Sequence, residues 1–248
     1  MKHDSLVYYT SKNKKRYDDN LLFNYFRAQV DNSIRLGWNR EDIIIGTNFD
    51  FEHNGVKNIK LENVCEFNIF NNKWYGIQEL MSTGKLNDDF WFHDQDSWQV
   101  SDVEIPKFDG EIGGCTYVYT PEWNTSTMFF KKTSQFIVDY IVEFMEMNDK
   151  INVYSDENYI SMLRQNSEIK DYLTTINNKY NVGLTHMERR YEVADKPVSV
   201  LGFQPHVRSS WDVFVDGKNE FNIKLVDDEL LKIFKKYKLV PEEINERK

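Results

Sequence analysis

The sequence predicts an α/β fold, a Rossmann-type mixed sheet flanked by helices in a single domain. Three observations carry that expectation. Short β-branched or aromatic runs alternate with longer segments whose apolar residues recur at helical spacing. Prolines number only five, so nothing marks a linker. The length of 248 residues suits one large core.

The elements follow in order. "SLVYYTS" (5–11) reads as a buried strand. "DDNLLFNYFRAQVDNSIRLGW" (18–38) places Leu22, Phe26 and Val30 on one helical face, with Gly37 as its stop. "DIIIGTN" (42–48) is too short and too β-branched for a helix and reads as the second strand. "NNKWYGIQELMSTG" (71–84) aligns Trp74, Ile77, Leu80 and Met81 and ends on Gly84. "DFWFHDQD" (89–96) is the third strand. This order implies parallel strands with helices on their faces. Farther on, "GGCTYVYTPEWNTSTMFFKK" (113–132) reads as two strands about a Pro-Glu turn, with a bulge at Gly113 and Gly114. "TSQFIVDYIVEFMEMN" (133–148) is an amphipathic helix with a core stripe from Phe136 to Met145, capped by Thr133 or Ser134. "SDENYISMLRQN" (155–166) is a second helix, capped by Ser155 or Asp156, and "KPVSVLGFQPHV" (196–207) is a strand that ends in a loop. "DDELLKIFKKYKL" (227–239) is a helix with acids first and bases last, as the macrodipole favours. The expected division is a main domain over 1–224 and a helical appendage over 225–248.

Composition excludes several classes. A net charge of −9 argues against a nucleic-acid partner, although Lys12, Lys14, Lys15 and Arg16 form a short basic cluster. The two cysteines, Cys65 and Cys115, make neither a disulfide framework nor a zinc pattern, and a reducing cytoplasm fits them. No apolar run approaches the ~20 residues of a membrane span. No phosphate-binding glycine loop occurs.

The chemistry concentrates in "WFHDQDSW" (91–98), where Asp94 and Asp96 interrupt a segment that otherwise reads as buried. Buried carboxylates need a partner, and one divalent cation can serve two of them. Oxygen donors of this kind suit Mg²⁺ or Mn²⁺, which retain open positions for phosphate oxygens. Ligands in such sheets sit beyond the carboxyl ends of the strands. There the first strand offers Tyr8, Tyr9 and Thr10 for a nucleotide, the second offers Asn48, and Lys73 opens the helix before the acid pair. His93 is expected to face away from Asp94 and to pack.

The order of elements and the Asp-x-Asp of "FWFHDQD" resemble the glycosyltransferases of the GT-A fold. The resemblance spans roughly residues 5–210. It implies metal ligation by Asp94 and Asp96, with a late ligand matched by His206 in "GFQPHV". Lys196 or Arg208 would reach phosphate. Asn124, Thr125 and Ser126 of "EWNTS" are similar to a sugar-contacting segment, though its glycine is absent. Asp156 and Glu157 match an acidic cluster before a helix. The implied activity is transfer of a sugar from a UDP- or GDP-sugar to a glycan or other hydroxyl acceptor, with Asp109, Glu111, Asp156 and Glu157 as candidates for a carboxylate base. The alternatives are a metal-dependent nucleotidyltransferase or phosphohydrolase, and a non-catalytic binding module of the same fold.

Overall fold

A computed structural model describes residues 2–6, 19–63, 65, 68–149 and 154–245. In chain order the elements are β1 (Lys2–Leu6), α1 (Asp19–Arg35), β2 (Ile43–Thr47), β3 (Glu52–His53), β4 (Val56–Lys60), α2 (Asn72–Ser82), β5 (Phe90–His93), β6 (Ser97–Gln99) and β7 (Ile112–Thr116). Then come β8 (Trp123–Phe130), α3 (Gln135–Asp149), α4 (Asp156–Asn166), β9 (Leu173–Thr175), β10 (Val182–Gly183) and α5 (Met187–Val193). β11 (Val200–Gly202), α6 (Arg208–Phe214), α7 (Asp228–Lys236) and α8 (Glu242–Asn245) complete the chain. Two compact units result: residues 1–16, 40–94 and 104–176 in the first, and 17–39, 95–103 and 177–248 in the second.

The first unit is built on an eight-stranded mixed sheet of order β3-β4-β2-β1-β5-β8-β7-β9. β1, β2, β4 and β5 are parallel, as the alternating sequence pattern predicts. β8 runs antiparallel to β5, and β7 antiparallel to β8, so β7 points the same way as β5. The chain moves outward from β1 to β2 and β4, then returns to β5 on the other side of β1. Such a reversal of strand order opens a crevice at the carboxyl ends of the strands.

Its core forms where α2 meets α3. Trp74, Ile77 and Leu80 of α2 are buried with Ile137, Ile141 and Met145 of α3 over Phe90, Phe92 and Phe130. Full burial of each such side chain is worth about 1.5–3 kcal/mol. Phe136, expected in this stripe, instead lies 51% exposed and meets Tyr172 edge-on. It sits one residue off the Ile137–Ile141–Met145 line, and that offset turns it to solvent. Neither expected cap of α3 acts through its side chain: the Thr133 hydroxyl donates to Glu111, and the Ser134 hydroxyl is buried without a hydrogen bond among the described residues. The bulge does occur, as a register shift between Gly114 and Cys115. Glycine is required there, because a Cβ on Gly114 would lie 2.5 Å from the Trp123 ring.

The second unit pairs β10 parallel to β11 and β11 antiparallel to β6. Residues 94–96 form the passage from β5 to β6, so the acids of "HDQDS" stand in a turn between two strands. Polar residues of α1 satisfy the backbone here: Gln29 donates to the carbonyls of Gln95 and Ser97, and Asn32 to that of Gln99. Trp98, Phe203, Phe214, Leu230 and Phe234 fill the core. Phe234 of α7 meets Trp98 edge-on at 4.6 Å. No helix among the described residues is long and apolar enough to cross a membrane.

Candidate active site

In the first unit, the carboxyl end of β5, the start of β8 and the first turns of α2 and α4 converge on one ammonium. Lys73 is the second residue of α2, and a cation at a helix start opposes the macrodipole. Its compensation is ionic. The Lys73 Nζ lies 3.2 Å from Asp94 Oδ1 and 3.2 Å from Asp156 Oδ2. It also approaches the Thr125 carbonyl and hydroxyl at 3.3 Å. Burial alone would lower the Lys73 pKa, but Asp156, then Asp94 and Glu157, outweigh it and hold the ammonium above the ordinary lysine range. The side chains of Lys73 and Asp156 are only 12% and 4% exposed, whereas Asp94 is 32% exposed. Asp94 therefore reaches solvent while Asp156 anchors the lysine from within.

Local structure sets each partner. The Asp94 N–H donates to the Ser126 carbonyl at 2.7 Å, which carries the β5–β8 pairing one residue past the strand. Ser155 caps α4 by accepting from the Asn158 N–H, so Asp156 and Glu157 occupy the first turn, where acids are favoured. Thr125 donates its hydroxyl to Asp156 and its N–H to Glu157. The Tyr117 hydroxyl donates to Glu157, 2.9 and 3.0 Å from its two oxygens. Burial first, and then the charge of Asp156, push the Glu157 carboxyl up; Tyr117, Lys73 and the Thr125 N–H oppose them. Three carboxylates thus surround one cation, two of them partly open to solvent.

Other expected residues fall elsewhere. Asp109 and Glu111 both precede β7, at the end of the sheet where β5 starts, since Ile112 and Phe90 both pair with Phe130. Strand direction therefore separates them from Asp94. Asn124 and Ser126 serve internally: the Asn124 amide donates to Tyr117, and its carbonyl oxygen accepts from the Ser126 N–H at 3.2 Å. Asn48 is half-buried just past β2. Tyr8, Tyr9 and Thr10, with the basic cluster 12–16, lie outside the described residues. His93 is fully buried and stacks on Trp91 at 4.6 Å, as a packing residue should. Tyr117 gave no motif signal, whereas Thr125 lay in the segment matched to a sugar contact and instead binds Asp156 and Glu157. Tyr117 was still legible by direction, because a residue just past a strand parallel to β5 shares the edge of Asp94.

In the second unit, Asp96 is half-buried, accepts from the Gln204 amide at 3.3 Å and receives the Phe203 N–H on its carbonyl. His206 Nδ1 pairs with the Tyr25 hydroxyl at 2.9 Å. Burial lowers the His206 pKa and the Asp96 carboxylate opposes this, so the two groups are electrostatic neighbours. A carboxylate and an imidazole with Nε2 turned from Tyr25 fit a hard divalent cation that takes its other ligands from a substrate. Among the described residues no three His, Cys, Asp or Glu side chains come together as a ready metal cage. Arg208 is engaged by Asp212 at 2.6 Å, and Lys196 lies over the Tyr191 ring.

No family model matches the chain, and no curated protein matches it. Solved structures do share its fold. The glycosyltransferase GlyE of Streptococcus pneumoniae TIGR4 aligns at a TM-score of 0.56 and 9% identity over 94% of this chain and 60% of GlyE. The chain thus spans less than two thirds of GlyE. A glycosyltransferase involved in the glycosylation of the major capsid of PBCV-1 aligns at 0.53 and 9% identity over 82% of this chain and 93% of that one. The galactosyltransferase LgtC, solved with donor and acceptor sugar analogs, aligns at 0.50 and 12% identity over 98% and 99%. At such identities the likeness shows the fold, and the fold is a GT-A-like glycosyltransferase fold.

Proposed function

We propose that this protein transfers a sugar from a nucleotide diphosphate sugar, a UDP- or GDP-sugar, to a hydroxyl acceptor such as a glycan. The observation that supports this best is the cluster of Asp94, Asp156 and Glu157 about Lys73 at the carboxyl edge of a GT-A-like sheet. Carboxylates are strong acceptors for sugar hydroxyls. Lys73 pairs with Asp94 at 3.2 Å and holds it in place, and Asp94 is open enough to take a hydroxyl of the donor sugar. In this reading Glu157, half-buried on the same edge, accepts a proton from the acceptor hydroxyl. Asp96 and His206 of the second unit are the residues that would hold Mn²⁺ or Mg²⁺, which when bound would supply positive charge to a departing diphosphate.

The test is release of nucleotide diphosphate from a panel of UDP- and GDP-sugars, followed with and without EDTA. The reading expects release from one donor, its loss with EDTA and its return with Mn²⁺. Asp94→Asn should lower kcat at least about tenfold, since it removes a charged hydrogen-bond acceptor. Absence of turnover with every donor would overturn the proposal. Release of orthophosphate from free nucleotide diphosphates would point to a phosphohydrolase.

A further inference from the structure

The loop after β7 holds a β-branched residue in an unfavourable backbone state. Val118 has φ 75°, in the left-handed region that valine rarely adopts. Strain of this kind persists where neighbouring contacts impose it. Here the Tyr117 N–H donates to the Glu122 carbonyl at 3.1 Å, and the Val118 N–H to Thr116 Oγ1 at 3.3 Å. The kink delivers the Tyr117 hydroxyl to Glu157. That hydroxyl accepts from Asn124 Nδ2 at 2.8 Å. A phenol has a single proton, so with Asn124 on its acceptor side the proton is directed to the carboxylate.

We infer that Tyr117 is a positioning residue, locked by Asn124 and the strained Val118 turn, that orients the Glu157 carboxylate and favours its ionised form for work as a base. This rests on the glycosyl-transfer reading above. The charged and titratable groups that face Glu157 are Asp156 beside it on α4, Lys73 from α2 and Tyr117 from the β7–β8 loop, while Asp94, just past β5, shares Lys73. Tyr117 opposes the upward push of burial and Asp156 on the Glu157 carboxyl. A carboxylate base works only when ionised, so activity falls on the acid side of its titration. Loss of the tyrosine hydroxyl moves that acid limb to higher pH. A tyrosine that merely packs would leave the limb where it is.

The experiment compares wild type, Tyr117→Phe and Glu157→Gln. It measures the pH dependence of kcat with the donor that wild type turns over, and it titrates the Glu157 side-chain carboxyl by carbon-13 NMR. The expected result is an acid limb at higher pH in Tyr117→Phe, with kcat down about tenfold at the limb and KM for the donor nearly unchanged. Glu157→Gln should lose the limb. An unmoved limb in an active, folded Tyr117→Phe protein overturns the inference. If wild type turns over no donor, the functional reading fails by itself, and an unmoved carboxyl titration in Tyr117→Phe still overturns the positioning role. If Tyr117→Phe does not fold, Asn124→Ala removes the donor to the same hydroxyl and is read in the same way.

Discussion

Lys73 sits where helix electrostatics disfavour a cation, and it is stable there because Asp156 and Asp94 are each 3.2 Å away. Lys73→Met leaves the buried Asp156 carboxylate uncompensated. A loss of about 3 kcal/mol is expected, read as a lower denaturant midpoint at pH 7. His93 makes the opposite case at the far side of the strand. Burial lowers its pKa from 6.5 to about 4. Its folded pKa lies below its unfolded one, so the unfolded chain takes up a proton first as pH falls. The neutral folded histidine therefore stabilises fully above pH 6.5, and that contribution drains away between pH 6.5 and about 4. Over that window the wild type should lose roughly 3 kcal/mol that His93→Gln does not lose, in chemical denaturation without added metal. At this scale the acids were legible in the sequence, because charge within an aromatic run demands a partner. The partner's identity was not. The sequence reading set Lys73 at the start of the helix before the acid pair, and only the fold brings it to Asp156, 83 positions later.

The elements that the sequence shows plainly are those governed by local rules. α1 and α2 both end in the expected glycines, Gly37 at φ 90° and Gly84 at φ 69°. At each, the last turn closes with paired backbone bonds, Trp38 to Ser33 and Gly37 to Ile34 in one, Lys85 to Leu80 and Gly84 to Met81 in the other. Ser155 caps α4 as read, and this cap also holds the first turn that carries Asp156 and Glu157. Ser155→Ala should cost about 1 kcal/mol of stability, measured by thermal unfolding, and should lower turnover as well. The hairpin β3–β4 was missed despite a clear signal: Asn54 and Gly55 both take positive φ, as a two-residue turn requires. β11 lies within the strand read over 196–207, but strands β6, β9 and β10 have only two or three residues each. Their pairing partners lie far off in sequence, so no local period reveals them.

At the scale of the whole chain, the split between Asp94 and Gln95 was not visible. No composition shift marks it, since the second unit is assembled from three separated segments. Nor did the sequence show how α7 is used. Leu230, Phe234 and Leu239 are buried with Trp98 and Phe203 in the second core. Removal of residues 225–248 would expose several such side chains, each worth about 1.5–3 kcal/mol, which together rival the stability of a domain. The shortened chain should therefore lose cooperative unfolding of the second unit, seen in hydrogen exchange at residues 97–99 and 200–202. The account as a whole turns on Asp94 as an acceptor for the donor sugar. Titration calorimetry of wild type and Asp94→Asn, with a UDP- or GDP-sugar against the bare nucleotide diphosphate in Mn²⁺, tests it directly. The account predicts that wild type binds the sugar nucleotide more tightly than the bare diphosphate and that Asp94→Asn loses that difference. Equal preference for the sugar nucleotide in both proteins would contradict it.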